Sequence, residues 1–188
     1  MWRRVDRDRA CHGRRRVVAG LLATMPALWV AAGARSAELA PRRIRVYNTH
    51  TLEELESVYH DGADYVPAEL GRLDWVLRDH RTGELVPMQK ELIDLLHELA
   101  VTAGVEPRYE IISAYRSPAT NAMLAARGEG VSPRSLHMEG RAIDVRLTGV
   151  PTIRLRELAL ARQAGGVGYY PTLDFVHLDL GRVRSWSG

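Results

Sequence analysis

The sequence predicts an α+β domain, a small and mainly antiparallel sheet flanked by helices. Three observations predict it. Segments with period-two alternation, such as 142–147, are short. Stretches of helical period, above all 88–103, fall between them. The last two apolar segments are separated only by a turn beginning Pro171-Thr172, which forces antiparallel pairing where a parallel pair would need a long crossover.

In chain order, residues 35–43 read as a polar leader into a first strand over Ile44–Asn48. Thr51 to Leu55 fits a helical turn or a turn followed by a strand, and Leu73–Arg78 with the Thr82-Gly83 turn fits a loop or short helix. The clearest helix runs from Met88 to Ala103. Its Met88, Leu92, Leu95, Leu96 and Leu99 form one apolar stripe, and Gly104 stops it. Tyr109–Ala114, with the Ile111-Ile112 pair, reads as a buried strand, and Pro118–Arg127 as a helix ending at Gly128, so a site can form at their junction. Ala142–Leu147 places Ile143, Val145 and Leu147 on one face of a strand and Asp144 on the other. Pro151 opens a third helix that stops at Gly165-Gly166, after which Val167–Tyr170 and Phe175–Leu180 form the final pair of strands. There is no internal repeat.

The first 34 residues read as an export signal. Arg14-Arg15-Arg16 precede an apolar run from Val17 to Ala32 that is too short, and too broken by Pro26, to span a membrane comfortably; Ala32-Gly33-Ala34 offers small residues for cleavage. The paired arginines suit a twin-arginine signal, although a general secretion signal also begins with basic residues, and an uncleaved anchor is the remaining alternative. The expected organisation is therefore a signal peptide over 1–34, the leader over 35–43 and one domain over 44–188. The expected location is the periplasm or cell-wall compartment, with no stable membrane association after cleavage.

The signal holds seven arginines and two aspartates, so its removal turns the formal net charge of +3 into −2. A mildly acidic domain lacks the net attraction to phosphate on which nucleic-acid binding depends, and no nucleic-acid partner is expected. The single cysteine, Cys11, lies in the signal, which leaves the remaining domain without a disulfide or a thiolate ligand.

The chemistry concentrates in two segments. In Ser135-Leu136-His137-Met138-Glu139-Gly140-Arg141-Ala142-Ile143-Asp144, an imidazole precedes a glycine turn and a carboxylate occupies the polar face of the next strand. In Asp174-Phe175-Val176-His177-Leu178-Asp179, alternation puts Phe175, His177 and Asp179 on one face. Two histidines and one carboxylate leave a tetrahedral zinc ion with an open position, as catalysis requires. Periodicity alone leaves each imidazole open as an ordinary satisfied polar residue. Arg116, at the start of a loop after a buried strand, suits a fixed cation that stabilises a carbonyl oxygen, or a surface arginine. Ser135 reads as a hydroxyl that orients a ligand or touches substrate, or as a turn serine. His50 and His80 read as structural.

Ser135-x-His137-x-x-Gly140-x-Ala142-x-Asp144 with Phe175-Val176-His177-x-Asp179 resembles the zinc D-Ala-D-Ala metallopeptidase superfamily, which includes vancomycin-resistance dipeptidases, phage endolysins and the hedgehog signalling domain. Asn48-x-His50-Thr51, 77–84, 113–117 and 165–171 are similar to segments of its murein endopeptidase K group, so the resemblance covers about 44–186. It implies a hedgehog/D-Ala-D-Ala peptidase-like fold, one Zn²⁺ per chain on His137, Asp144 and His177, Arg116 against a substrate carboxylate or carbonyl, and peptidoglycan stem peptides or cross-links as substrate. It also implies a catalytic acid three residues before the last histidine, which here is Asp174. A regular strand instead puts Asp179 on the face of His177, and a bend after Pro171 decides between the two. A peptidoglycan endopeptidase or carboxypeptidase is expected. The alternative is a module of the same fold that keeps zinc for stability and binds wall or signals without hydrolysis.

Overall fold

The computed structural model describes residues 40–128 and 131–188. The export signal expected over 1–34, and most of the polar leader, lie outside the described residues. Strands β1 (Arg42–Asn48) and β2 (Glu54–His60) are followed by helices α1 (Pro67–Val76) and α2 (Lys90–Ala103). Then come β3 (Arg108–Ser113), α3 (Pro118–Ala126), a single 3₁₀ turn over Leu136–Glu139, β4 (Ala142–Leu147) and α4 (Thr152–Arg162). Strands β5 (Gly166–Tyr170), β6 (Phe175–Asp179) and β7 (Arg184–Ser187) close the chain.

Among the described residues the strands form one seven-stranded sheet in the order β2-β1-β3-β4-β6-β5-β7. Four of its pairings are antiparallel; β1 with β3 and β5 with β7 are parallel. The α+β class and the mainly antiparallel sheet are thus as the sequence predicts. The β1–β3 pair is parallel because β2, α1 and α2 intervene and bring the chain back across the sheet.

Helices α2 and α4 pack against each other and against the sheet, α2 over β1 and α4 over β4, β5 and β6. The apolar stripe of α2 is the reason: Leu92, Leu96 and Leu99 are buried, and they meet a core that includes Ile143, Val145, Leu147, Val176 and Leu178 from alternate positions of β4 and β6. Full burial of each such side chain is worth about 1.5–3 kcal/mol. Alternation sends residues 142, 144, 175, 177 and 179 to the opposite face, where the polar groups collect.

Two elements depart from the sequence reading, and a third settles an alternative that it left open. Helix α1 begins at Pro67, which presets the first helical φ, whereas Gly71 and the mixed polar composition hide its period. Strand β2 realises the turn-and-strand alternative after Thr51. Strand β7 is a four-residue edge strand too short to show alternation. Gly140 ends the 3₁₀ turn at φ 65°, and a Cβ there would stand 2.6 Å from the Pro87 carbonyl oxygen. Only glycine satisfies both conditions, and the turn places His137 beside the start of β4.

Candidate metal centre

Sheet register assembles the site. Ser113 on β3 pairs with Asp144 on β4, Asp144 with His177 on β6, His177 with Gly168 on β5, and Gly168 with Trp186 on β7. Directly paired residues share a sheet face, so these five form one row. Gly168 leaves room in that row for the Trp186 indole, which a Cβ would approach to 2.6 Å; the indole lies 5.1 Å from the His177 ring.

His137 enters the row from the 3₁₀ turn. Its Nε2 lies 3.2 Å from His177 Nδ1 and 3.4 Å from Asp144 Oδ2, and His177 Nδ1 lies 2.8 Å from Asp144 Oδ1. One ligand atom from each of the three residues falls within 4.8 Å of the others. Nitrogen and oxygen ligands about 2.0–2.1 Å from a tetrahedral zinc ion stand about 3.3 Å apart, so these residues fit such a metal.

The far side of each imidazole is equally well defined. His137 Nδ1 is 2.7 Å from the Ala114 carbonyl oxygen, which can only accept; the proton therefore sits on Nδ1 and the Nε2 lone pair faces Asp144 and His177. His177 presents Nε2 to Asp179 Oδ2 at 3.0 Å, leaving Nδ1 for the group. The Asp179 side chain has 0% exposure and accepts further hydrogen bonds from Gly166 N, Gly181 N and Arg184. Each metal-facing imidazole nitrogen thus has an oxygen acceptor behind it, the outer support that histidine ligands use.

Electrostatics follow this wiring. Burial lowers the His137 pKa and keeps the ring neutral. Burial also works against a charged His177, but the Asp144 and Asp179 carboxylates outweigh it and raise the pKa of His177. Asp144 and Asp179 are each pushed up by burial and pulled further down by their neighbours, His137 and His177 for Asp144, His177 and Arg184 for Asp179. Both carboxyls are held well below the usual range.

Arg116 follows β3 at the junction with α3. Its backbone N–H donates to the His137 carbonyl at 3.2 Å, and its guanidinium lies 3.8 Å from Asp144 Oδ2 and 3.5 Å from Ser113 Oγ and Asn121 Oδ1. Buried Asp79 holds this corner from the neighbouring loop by accepting Ser117 N–H at 2.8 Å and Arg81 N–H at 2.9 Å.

The group opens onto a cavity of about 540 Å³. His137, Asp144, His177, Arg116, Ser135 and Asp179 all line it, so the structure brings these sequence-selected residues together. Asp174 stands apart. It occupies the turn at φ 52°, and its side chain is 65% exposed. Its carboxylate accepts from Thr152 Oγ1 at 2.7 Å and pairs with Arg146 at 3.5 Å. The bend after Pro171 exists, but it turns Asp174 outward, while neighbouring Leu173 and Phe175 face the cavity.

The sequence reading does not single out Arg184 or Trp186, because β7 was not expected, nor the cavity placement of His50 and His80. For Arg184 and Trp186 the signal was Gly165-Gly166, read as a helix stop, and Gly168, read as part of a strand. A Cβ at Gly166 would meet Asp179 Oδ2 at 2.4 Å and Arg184 Nη1 at 2.3 Å, so these glycines make space for side chains from the end of the chain.

This sheet, with a His-Asp-His group at an open cleft beside a buried arginine, defines a peptidase of the D-Ala-D-Ala metallopeptidase superfamily. A family model described as Peptidoglycan L,D-endopeptidase MepK matches residues 36–186, and the chain belongs to that family. It is 38% identical over 146 residues to Peptidoglycan L,D-endopeptidase MepK of Escherichia coli (strain K12), covering 78% of this chain and 80% of that protein. It is likewise 38% identical over 149 residues to Probable peptidoglycan L,D-endopeptidase MepK of Haemophilus influenzae, covering 79% and 80%. No solved structure matches the chain significantly.

Proposed function

We propose that this chain is a zinc-dependent peptidoglycan endopeptidase that cuts peptide cross-links of the bacterial wall after export by its first 34 residues. The relatives' names support the bond class, a cross-link of L,D type. The observation that carries the metal is the convergence of His137 Nε2, His177 Nδ1 and Asp144 in one group, with both imidazoles backed by oxygen acceptors. Among the described residues no helix is long and apolar enough to cross a membrane.

His137, Asp144 and His177 would hold one zinc ion, which when bound would supply a water nucleophile at neutral pH and polarise a carbonyl. The chain's own residues do the rest. Arg116, fixed beside Asp144, offers its guanidinium to the carbonyl oxygen as negative charge grows there. Asp179 keeps the proton of His177 on Nε2, so that the Nδ1 lone pair remains available to a metal. Ser135 lines the wall at the entry to the 3₁₀ turn and touches the substrate backbone. Of the two aspartates considered for proton transfer, Asp179 supports His177 from the side away from the group, and Asp174 fastens the turn to α4 through Thr152.

Digestion of cross-linked muropeptides by the chain from Ala37 onward, beside its His137→Ala variant and with zinc content measured on both, tests the proposal. The expected result is one zinc per chain and loss of L,D-cross-linked dimers for the wild type, and neither for the variant. Bound zinc without cleavage would identify instead a zinc-retaining wall-binding module of this fold.

A further inference from the structure

His50 and His80 come from different loops, after β1 and after α1, yet their rings stack on the wall of the cavity at 3.8 Å between centroids and 10° between planes. Neither ring is placed by chance. Buried Asn48 accepts from the backbone N–H of His50 at 3.0 Å and of Thr51 at 3.2 Å, and donates to the Val76 carbonyl at 2.8 Å. His50 Nε2 donates to the Ile112 carbonyl at 3.1 Å, one residue from the Ser113 that begins the site row. The His80 loop is tied down by buried Asp79, whose carboxylate spans Arg81 N–H and Ser117 N–H and so locks the loop to the segment that carries Arg116. Two buried polar residues are committed to presenting this pair.

The surrounding charge indicates what the pair meets. Both acids in the cavity wall, Asp144 and Asp179, are engaged by the histidines and Arg184. Arg81 and Arg134 also line the wall, and among the described residues neither has a carboxylate within ion-pair distance. The opposite end is aromatic, with Tyr170 and Phe175 stacked at 4.5 Å and Trp186 hydrogen-bonded to Tyr170. The cavity therefore carries Arg81 near Arg116 at one end, and aromatic rings at the other, where the cation Arg184 is paired with Asp179. Burial, then the neighbours His50 and Arg81, lower the His80 pKa to about 4, so that ring is neutral at neutral pH and Arg81 supplies positive charge beside it.

We infer that the stacked His50–His80 pair and Arg81 form a subsite that takes a free carboxylate of the substrate peptide, on the Arg116 side of the bond being cut. The flat imidazole wall sets the plane of the group and Arg81 supplies the charge. This subsite rests on the endopeptidase reading, in which the substrate is a peptide rich in carboxylates. It makes the three residues determinants of specificity that act in binding, apart from the chemical step.

The test uses the Arg81→Ala and His80→Ala variants with an L,D-cross-linked muropeptide dimer and the same dimer with its free carboxyls converted to carboxamides. Wild type is expected to prefer the acid. Each variant should raise KM for the acid about tenfold, close kcat to wild type, and leave the amide unaffected. Equal KM for acid and amide in the wild type, or a loss in the variants that is the same on both, would overturn the subsite. Calorimetric binding of the uncleaved stem tripeptide, acid against amide, to wild type and Arg81→Ala reads the same discrimination without turnover. A wild type that cleaves neither dimer would count against the endopeptidase reading alone, and the calorimetric comparison would still decide the subsite.

Discussion

Asp179 shows how much one residue decides here. Its carboxylate is wholly buried, yet it receives His177, Arg184 and two backbone N–H groups, and through them it fixes which nitrogen of His177 faces Asp144. Replacing it by asparagine keeps the volume but removes the charge that orients both His177 and Arg184. Asp179→Asn is expected to weaken zinc binding about 10–100-fold, read by competition with a chromogenic chelator. Asp174→Asn, outside the cavity, is expected to leave zinc affinity unchanged and kcat close to wild type. The reverse ranking would return the catalytic role to Asp174. At this scale the sequence was informative about residue type: the two spaced motifs contain both histidines and Asp144. It could not orient Asp174, because a left-handed residue in a turn breaks the alternation on which facing arguments depend.

Among the elements, the link from Asp79, in the loop after α1, to Ser117, at the junction of β3 and α3, connects stability to the site. Asp79 is buried; burial works to raise its pKa, but the bonds from Ser117 N–H and Arg81 N–H among others outweigh this and hold the carboxyl well below the usual range. A carboxyl depressed in the folded state contributes stability that is fully present above the unfolded value near 3.9 and lost as pH falls toward the folded value. Asp79→Ala should cost about 3 kcal/mol in urea unfolding at pH 7, and the difference from wild type should shrink as pH drops below about 4. A pH-independent difference would mean that the carboxylate charge contributes nothing. Elements with an uninterrupted period, α2 and β4, were legible in the sequence. Helix α1 was obscured by Gly71 and its polar face, and β7 by its length, since an edge strand of four residues is held by partners and not by its own pattern.

The molecule as a whole divides its sheet between two tasks. One face, under α2 and α4, carries the apolar core, while the other carries the row from Ser113 to Trp186, and alternation along β4 and β6 feeds both. Leu96→Ala, at the centre of the core, should destabilise the fold by about 2–5 kcal/mol in denaturant titration while zinc affinity of the folded protein stays as in wild type. The α+β class could be read from period and turn length. The order of strands could not, because β1–β3 pairing joins segments with a strand and two helices between them. The central claim is that this row holds one zinc ion and that the ion is what makes the cleft hydrolytic. Its most direct measurement is reconstitution: strip the purified domain with a chelator, titrate zinc back, and follow cleavage of an L,D-cross-linked muropeptide against bound metal. Activity that rises linearly and stops at one zinc per chain is the predicted result; cleavage that persists in the stripped protein and ignores added zinc would contradict it.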